Sequence, residues 1–363
     1  MSIKISLPFI HLAGMKNNLN LSLKNFVKLC LGLLITSILL SSCKRSNEQV
    51  SQGTLLGKPY KVTVGQKTEL IDSIIQSTFV DIDYLFSPTD PNSVVARYNT
   101  WPYPDSLMAF VDRDALFSQV YDYIFELYHQ TNGYFDPSMM PLAEARAKLM
   151  PGYELEDAVI DEMMVYCGLS EQNFKLREYQ NEQGIYEKSF LEKSDPRARI
   201  DLTDFAGAYA LDIIRYQLVE NNIDIFRIEW NGIALNQGFE NEESRYLSVT
   251  LPGSIGEQKL NIYNNVVAYL DETAVKKVLA GSLVYPSENS SAQTFVVSGT
   301  AAVSLAYAQA FSVMGPQEMQ MFFEEAPERD IEVTMIFGKD GEYYAASTPG
   351  MDTLWFSDST KEK

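Results

Sequence analysis

The spacing of apolar positions separates the chain into helical and extended stretches. "PYKVTV", Pro59 to Val64, alternates apolar and polar residues like a strand in a half-buried sheet. Leu70, Ile71, Ile74, Ile75, Val80, Ile82 and Leu85 then recur near i+3/i+4 spacing and predict a helix. The two prolines of "FSPTDPNS" end it. A second helix is expected from about Asp112 or Asp114, with Leu116, Phe117, Val120, Tyr121, Ile124 and Tyr128 on one face and Asn132-Gly133 as its stop. Residues 150–195 read as short helices alternating with loops under a charged surface. From Ile223 the strand signal dominates, in "IFRIEW", "YLSVTL", "KLNIY" and "VVAYL". A helix "AAVSLAYAQAFSVM" follows and ends at Gly315. "IEVTMIF" and "YYAAS" flank a Lys339-Asp340-Gly341-Glu342 turn, a hairpin signature. Helices and strands mix without regular alternation, so the expected class is α+β, or mixed α/β, in one compact domain with a mixed β-sheet core.

The N-terminal stretch follows a different pattern. Lys16, Lys24 and Lys28 precede the apolar run "LCLGLLITSILL", Leu29 to Leu40. That run is about half of the roughly 20 residues needed to span a bilayer, and it suits the core of a signal peptide. It ends in Leu40-Ser41-Ser42-Cys43, which resembles a bacterial lipobox, where the cysteine thiol is acylated. Residues 1–42 are therefore expected to be a lipoprotein signal peptide and 43–53 a polar tether. Residues 54–350 are the expected folded domain, and 351–363 a tail. The expected address is the bacterial cell envelope, lipid-anchored through Cys43 on the periplasmic side or at the cell surface.

Composition narrows the chemistry. The 363 residues are 46% hydrophobic and 12% aromatic, ample for a core. Formal charge is −19, and the targeting segment holds four lysines and no acid, leaving 25 basic against 48 acidic side chains beyond it. So acidic a surface repels polyphosphate backbones, and no nucleic-acid partner is expected. With Cys30 in the targeting run and Cys43 at its end, Cys167 is left without a disulfide partner and reads as a buried small hydrophobe. His129 is the only histidine after residue 43, so a His-rich metal site is excluded; it reads as an exposed helix-end residue.

"DLTDFAGAYALD", Asp201 to Asp212, has the layout of a strand end, a small-residue turn and a helix start. Helix N-termini in such frames bind phosphates. Yet glycine is sparse here and no basic residue is present.

Motifs in a fixed order carry a resemblance. They are "GKPYKVTV", "FSPTDPNSVVARYN", "TNGYFDPSMMPL", "IDLTDFAGAYALDIIRYQLVENNIDIFRIEWNG" and "SGTAAVSLAYAQAFSVMG". Together they resemble the FAD:protein FMN transferases, the ApbE family. The resemblance implies a frame that binds FAD and Mg2+, cleaves FAD and attaches FMN to a threonine of a target flavoprotein. It further implies that Ser87, Ser93 and Asn99, short polar groups on a Pro-broken loop, touch the ligand; turn formation and capping would use them equally well. Tyr134-Phe135-Asp136 matches the family's Ala-Phe-Asp, which contacts the flavin nucleotide, and Asp201 matches the acid that opens its glycine-rich stretch.

The departures are as informative. Thr203 and Asp204 stand where the family has two glycines, and Gly207 where it has a lysine or glutamate. Asp204 could hold a hard cation, or cap a helix starting at Phe205. Leu270-Asp271-Glu272 replaces a Thr-Ser-Gly turn, and residues 282–289 lack the family's histidine and aspartate. Leu305 and Gln309 stand where the family places an Asp and a Thr that ligate Mg2+ from one helix face. Leucine cannot ligate, and Gln309 offers one weak oxygen. The expectation is therefore an FMN-transferase-type lipoprotein with weak or lost activity, its alternative being a pseudoenzyme that binds a flavin or a protein.

Overall fold

A computed structural model describes residues 47–150, 153–180, 186–253, 256–282, 291–325, 329–339 and 342–356. The chain divides after Asn47, and the unit from Glu48 onward is described here. Its strands are β1 (Gln49–Leu55), β2 (Lys58–Val64), β3 (Met108–Phe110), β4 (Lys175–Gln180), β5 (Tyr186–Glu192), β6 (Phe226–Trp230), β7 (Ile233–Gln237), β8 (Tyr246–Leu251), β9 (Gly256–Asn261), β10 (Val266–Leu270), β11 (Ser291–Ser298), β12 (Glu332–Lys339) and β13 (Glu342–Ser347). Its helices are α1 (Leu70–Phe86), α2 (Val94–Thr100), α3 (Leu116–Gln130), α4 (Met140–Ala147), α5 (Asp157–Met163), α6 (Thr203–Glu220), α7 (Glu242–Arg245), α8 (Glu272–Ala280), α9 (Ala301–Val313), α10 (Pro316–Glu325) and α11 (Pro349–Asp352).

Eight strands pair antiparallel in the order β1-β2-β6-β7-β10-β11-β12-β13. The middle strands are covered on both faces, which explains their nearly continuous apolar sequence. Val266, Ala268 and Val296 point into one core, packed with residues of α1, α6 and α9. Val267, Phe295 and Val297 point into the other, closed by Val249, Leu251 and Leu260 of the β8–β9 hairpin and by Met351. The two-residue period of a strand assigns each side chain to its layer. α9 is buried along almost its whole length, including Ala302, Leu305, Ala306 and Phe311, as a helix apolar all round must be. The N-terminus of α9 meets Asp212 of α6, whose two carboxylate oxygens accept from the amides of Ala301 and Ala302 at 2.8 and 3.0 Å.

The mixed α/β class is as expected, the sheet is antiparallel throughout where a mixed sheet was expected, and the β12–β13 hairpin forms, with residues 340–341 of its turn outside the described set. Cys167 is buried and His129 is exposed in the last turn of α3. Three boundaries differ. The stretch expected as tether contributes β1 from Gln49, because an edge strand is held by backbone pairing to β2 and needs little apolar patterning; only Ser51 and Leu55 are buried along it. The expected tail is packed, with Met351 fully buried and Trp355 bridging to Leu260. Residues 150–195 contain β4 and β5, which join β3 in a three-stranded sheet. Charges at Lys175, Arg177 and Glu178 concealed that strand period.

Candidate functional site

A cleft of about 1090 Å³ opens where the segment after α3, the start of α6, the β6–β7 turn, α8 and α9 converge. Asn99 fixes the approach to α6. Its Nδ2 donates to the Ile200 carbonyl and its Oδ1 accepts from the Ile200 amide, both at 2.9 Å. The Asp201 amide then donates to the Pro137 carbonyl at 2.9 Å. This double clamp places Asp201 at the cleft wall, where its Oδ1 accepts from the Thr203 amide at 3.0 Å.

α6 begins at Thr203, two residues before the expected start, so Asp204 lies in its first turn and does not cap it. An acid in the first turn still complements the positive end of the helix. One Asp204 oxygen accepts from Asn231 Nδ2 at 3.0 Å, and the other from Lys277 Nζ at 3.1 Å. The same ammonium lies 3.6 Å from Asp201 Oδ2. The basic group absent from the motif is thus supplied by α8. Burial alone would lower the Lys277 pKa, but the carboxylates of Asp204 and Asp201 outweigh it and hold it above the ordinary lysine value.

The turn that carries Asn231 is tight. Gly232 has φ +79, and a Cβ there would lie 2.3 Å from the Tyr269 carbonyl. Only glycine permits that approach of the turn to β10.

Of the residues singled out in the sequence, Tyr134, Asp136, Asp201, Asp204, Leu305 and Gln309 line this one cleft. Asp136 is also occupied in holding the local backbone. Its carboxylate accepts from the amide and hydroxyl of Ser138 and from the Leu169 amide, while burial pushes its pKa upward. Phe135 lines the cleft but is 2% exposed and packs on Phe205 at 5.6 Å, so its ring belongs to the core and offers no face to a flavin. Ser87 and Ser93 do not reach the cleft. Ser93 Oγ donates to the Ser87 carbonyl and accepts from the Ala96 amide, capping α2, while Ser87 Oγ accepts from the Asp90 amide. Asn99 acts through Ile200, as described. Gly207 is a packing residue: a Cβ there would lie 2.0 Å from the Trp230 ring.

A divalent metal does not fit this arrangement. No cluster of three or more His, Cys, Asp or Glu that could hold an ion occurs among the described residues. The two acids that converge already face an ammonium, and Leu305 adds no donor. Ser282 lines the cleft, but residues 283–289, where the family's histidine and aspartate are missing, lie outside the described set. Lys277, Asn231 and Lys58 are lining residues that the sequence did not disclose. Asp204 and Lys277 are 73 residues apart, and no local pattern connects them.

A model of the ApbE family matches residues 56–335. No curated protein sequence matches the chain. Among solved structures, the flavin transferase ApbE from Vibrio cholerae is 16% identical, covering 85% of this chain and 99% of its own, with a TM-score of 0.68. The apo flavinyl transferase ApbE from Pseudomonas stutzeri is 18% identical over 86% of this chain and 98% of its own, with a TM-score of 0.66. The ApbE protein from Thermotoga maritima gives 18%, 85%, 99% and 0.61 for the same measures. Likeness at such identity establishes the fold.

The packing role of Gly207 has a direct check. Gly207→Ala forces α6 away from Trp230, and overpacking of this kind costs about 1–3 kcal/mol. The denaturation midpoint should fall accordingly. An unchanged midpoint would contradict the close packing of α6 on Trp230.

Proposed function

The chain belongs to the ApbE family, and on that premise we propose that it is an envelope lipoprotein whose cleft keeps the family's FAD-binding frame with little of the metal-dependent FMN transfer. The observation that carries this reading is the position of Lys277 Nζ, 3.1 Å from Asp204 and 3.6 Å from Asp201. A metal ion speeds phosphoryl chemistry by neutralising developing charge, a contribution of several kcal/mol. Each ~1.4 kcal/mol is about tenfold in rate. A singly charged ammonium, already shared by two carboxylates, supplies only part of that.

The size of the cleft favours retained binding. At about 1090 Å³ it lies just above the usual range of small-molecule sites, roughly 300–1,000 Å³, with room for a dinucleotide. Tyr128, Tyr134 and Tyr269 line it and offer aromatic surface. A flavin-binding or protein-interacting pseudoenzyme is the second reading, supported by the same ion pair and by Leu305.

The full chain, mixed with FAD, Mg2+ and a threonine-bearing flavoprotein acceptor, should yield flavinylated product at a rate about a hundredfold or more below that of a family member with an intact metal site. Mass spectrometry of the acceptor measures this. Efficient labelling would contradict the reading.

The lipoprotein part rests on the short apolar run before Cys43, which lies outside the described residues. Cys43→Ser should block processing or release the protein from membranes to the soluble fraction. Normal processing together with membrane retention of that variant would remove the anchor from the proposal.

A further inference from the structure

We propose that Lys277 is a tethered counter-ion: its ammonium takes the cation seat between Asp201 and Asp204, and the site is closed to divalent metal for as long as that lysine is present. This deepens the functional reading and rests on it only for the identity of the anionic ligand.

The geometry is that of a seat with its other bonds already assigned. Asp201 spends Oδ1 on the Thr203 amide, and Asp204 spends Oδ1 on Asn231. Each acid therefore presents its Oδ2 to one point, and Lys277 Nζ is there. Two carboxylates aimed at one point repel each other unless a cation lies between them. Among the described residues Lys277 is the only cation within ion-pair distance of either acid.

The lysine is delivered by a helix fixed at both ends. Asp271 caps the start of α8 by accepting from the Ala274 amide at 2.9 Å. Arg146 of α4 donates to the carbonyls of Leu279 and Ala280, at 3.3 and 3.0 Å, and to that of Ser282, holding the far end. An ammonium has three N–H donors. With one N–H donated to Asp204 and the ammonium 3.6 Å from Asp201, an N–H is left for an anionic ligand oxygen, and the side chain is 60% exposed.

A divalent ion would need the same two oxygens. Mg2+ keeps several waters and is held through one or two carboxylates, commonly together with substrate phosphates. Asp201 and Asp204, with Gln309 on the same cleft, supply the protein's share of such a set once the ammonium is gone.

The test is the melting temperature of the full chain in EDTA, Mg2+ or Mn2+ at millimolar concentration, without flavin. The parent and Lys277→Arg should show no metal response. Lys277→Ala should melt lower than the parent in EDTA and gain about 2 °C or more with Mn2+, through binding to the native state. Adding Asp204→Asn to that variant should abolish the gain. Lys277→Met, which keeps the aliphatic stem, serves as a second neutral variant if alanine disturbs α8. A metal-dependent rise in the parent would overturn the proposal, as would folded Lys277→Ala and Lys277→Met variants blind to both metals. Failure of FAD to bind any of these proteins would instead remove the flavin reading and leave the seat intact.

Discussion

Two acids held by separate hydrogen bonds at the mouth of one helix need a positive charge between them, and much of the site's geometry follows from how that charge is provided. Asp201 is fixed through Pro137 and Thr203, and Asp204 through Asn231 and the first turn of α6. Lys277 connects both to α8, so a salt bridge joins parts of the chain that share no local sequence pattern. Exposed ion pairs contribute little to stability on their own. This one matters through position: it meets both acids at the wall of the cleft.

A second lysine serves as a fixed cation upstream of the same segment, and this one is internal. Lys193 is fully buried and donates to the carbonyls of Tyr98, Pro196 and Ala198 at 2.8, 3.1 and 2.9 Å. Burial pulls its pKa down to about 8. The carbonyls it gathers belong to the end of α2 and to the stretch leading to Ile200, which Asn99 then clamps. The approach to Asp201 is thus built by polar groups that spend their bonding on the backbone. That leaves them nothing to offer a ligand, which is why Asn99 and Ser93 matter to the cleft without touching it.

The sequence disclosed the parts of this architecture that periodicity and spacing encode. The face of α3, the all-round apolar α9 and the β12–β13 hairpin formed as their patterns indicated, and α1 buries Ile71, Ile74, Ile75, Ile82 and Leu85 of its expected face while Leu70 and Val80 lie exposed. Asp201, Asp204, Leu305 and Gln309 do line one cleft; i and i+4 on one helix share a face, and that this helix lies opposite the two acids was implied by the resemblance to the family. What stayed hidden has physical causes. Capping and ligand binding both call for short oxygens on a Pro-broken turn, so Ser87 and Ser93 looked like ligand contacts. Gly207 read as a lost lysine, whereas the contact with Trp230 that requires glycine exists only in three dimensions. β1 is an edge strand whose pairing leaves little trace in side-chain polarity. Lys277 was invisible because its partners lie on other elements and its own helix shows only an ordinary surface lysine.

Manganese soaked into crystals of the parent protein tests the central claim most directly, because its anomalous scattering reports an ion's position without reference to activity. No manganese peak is expected between Asp201 and Asp204, with density for the Lys277 ammonium at that point. A manganese peak bound by both carboxylates, with Lys277 displaced into solvent, would contradict it.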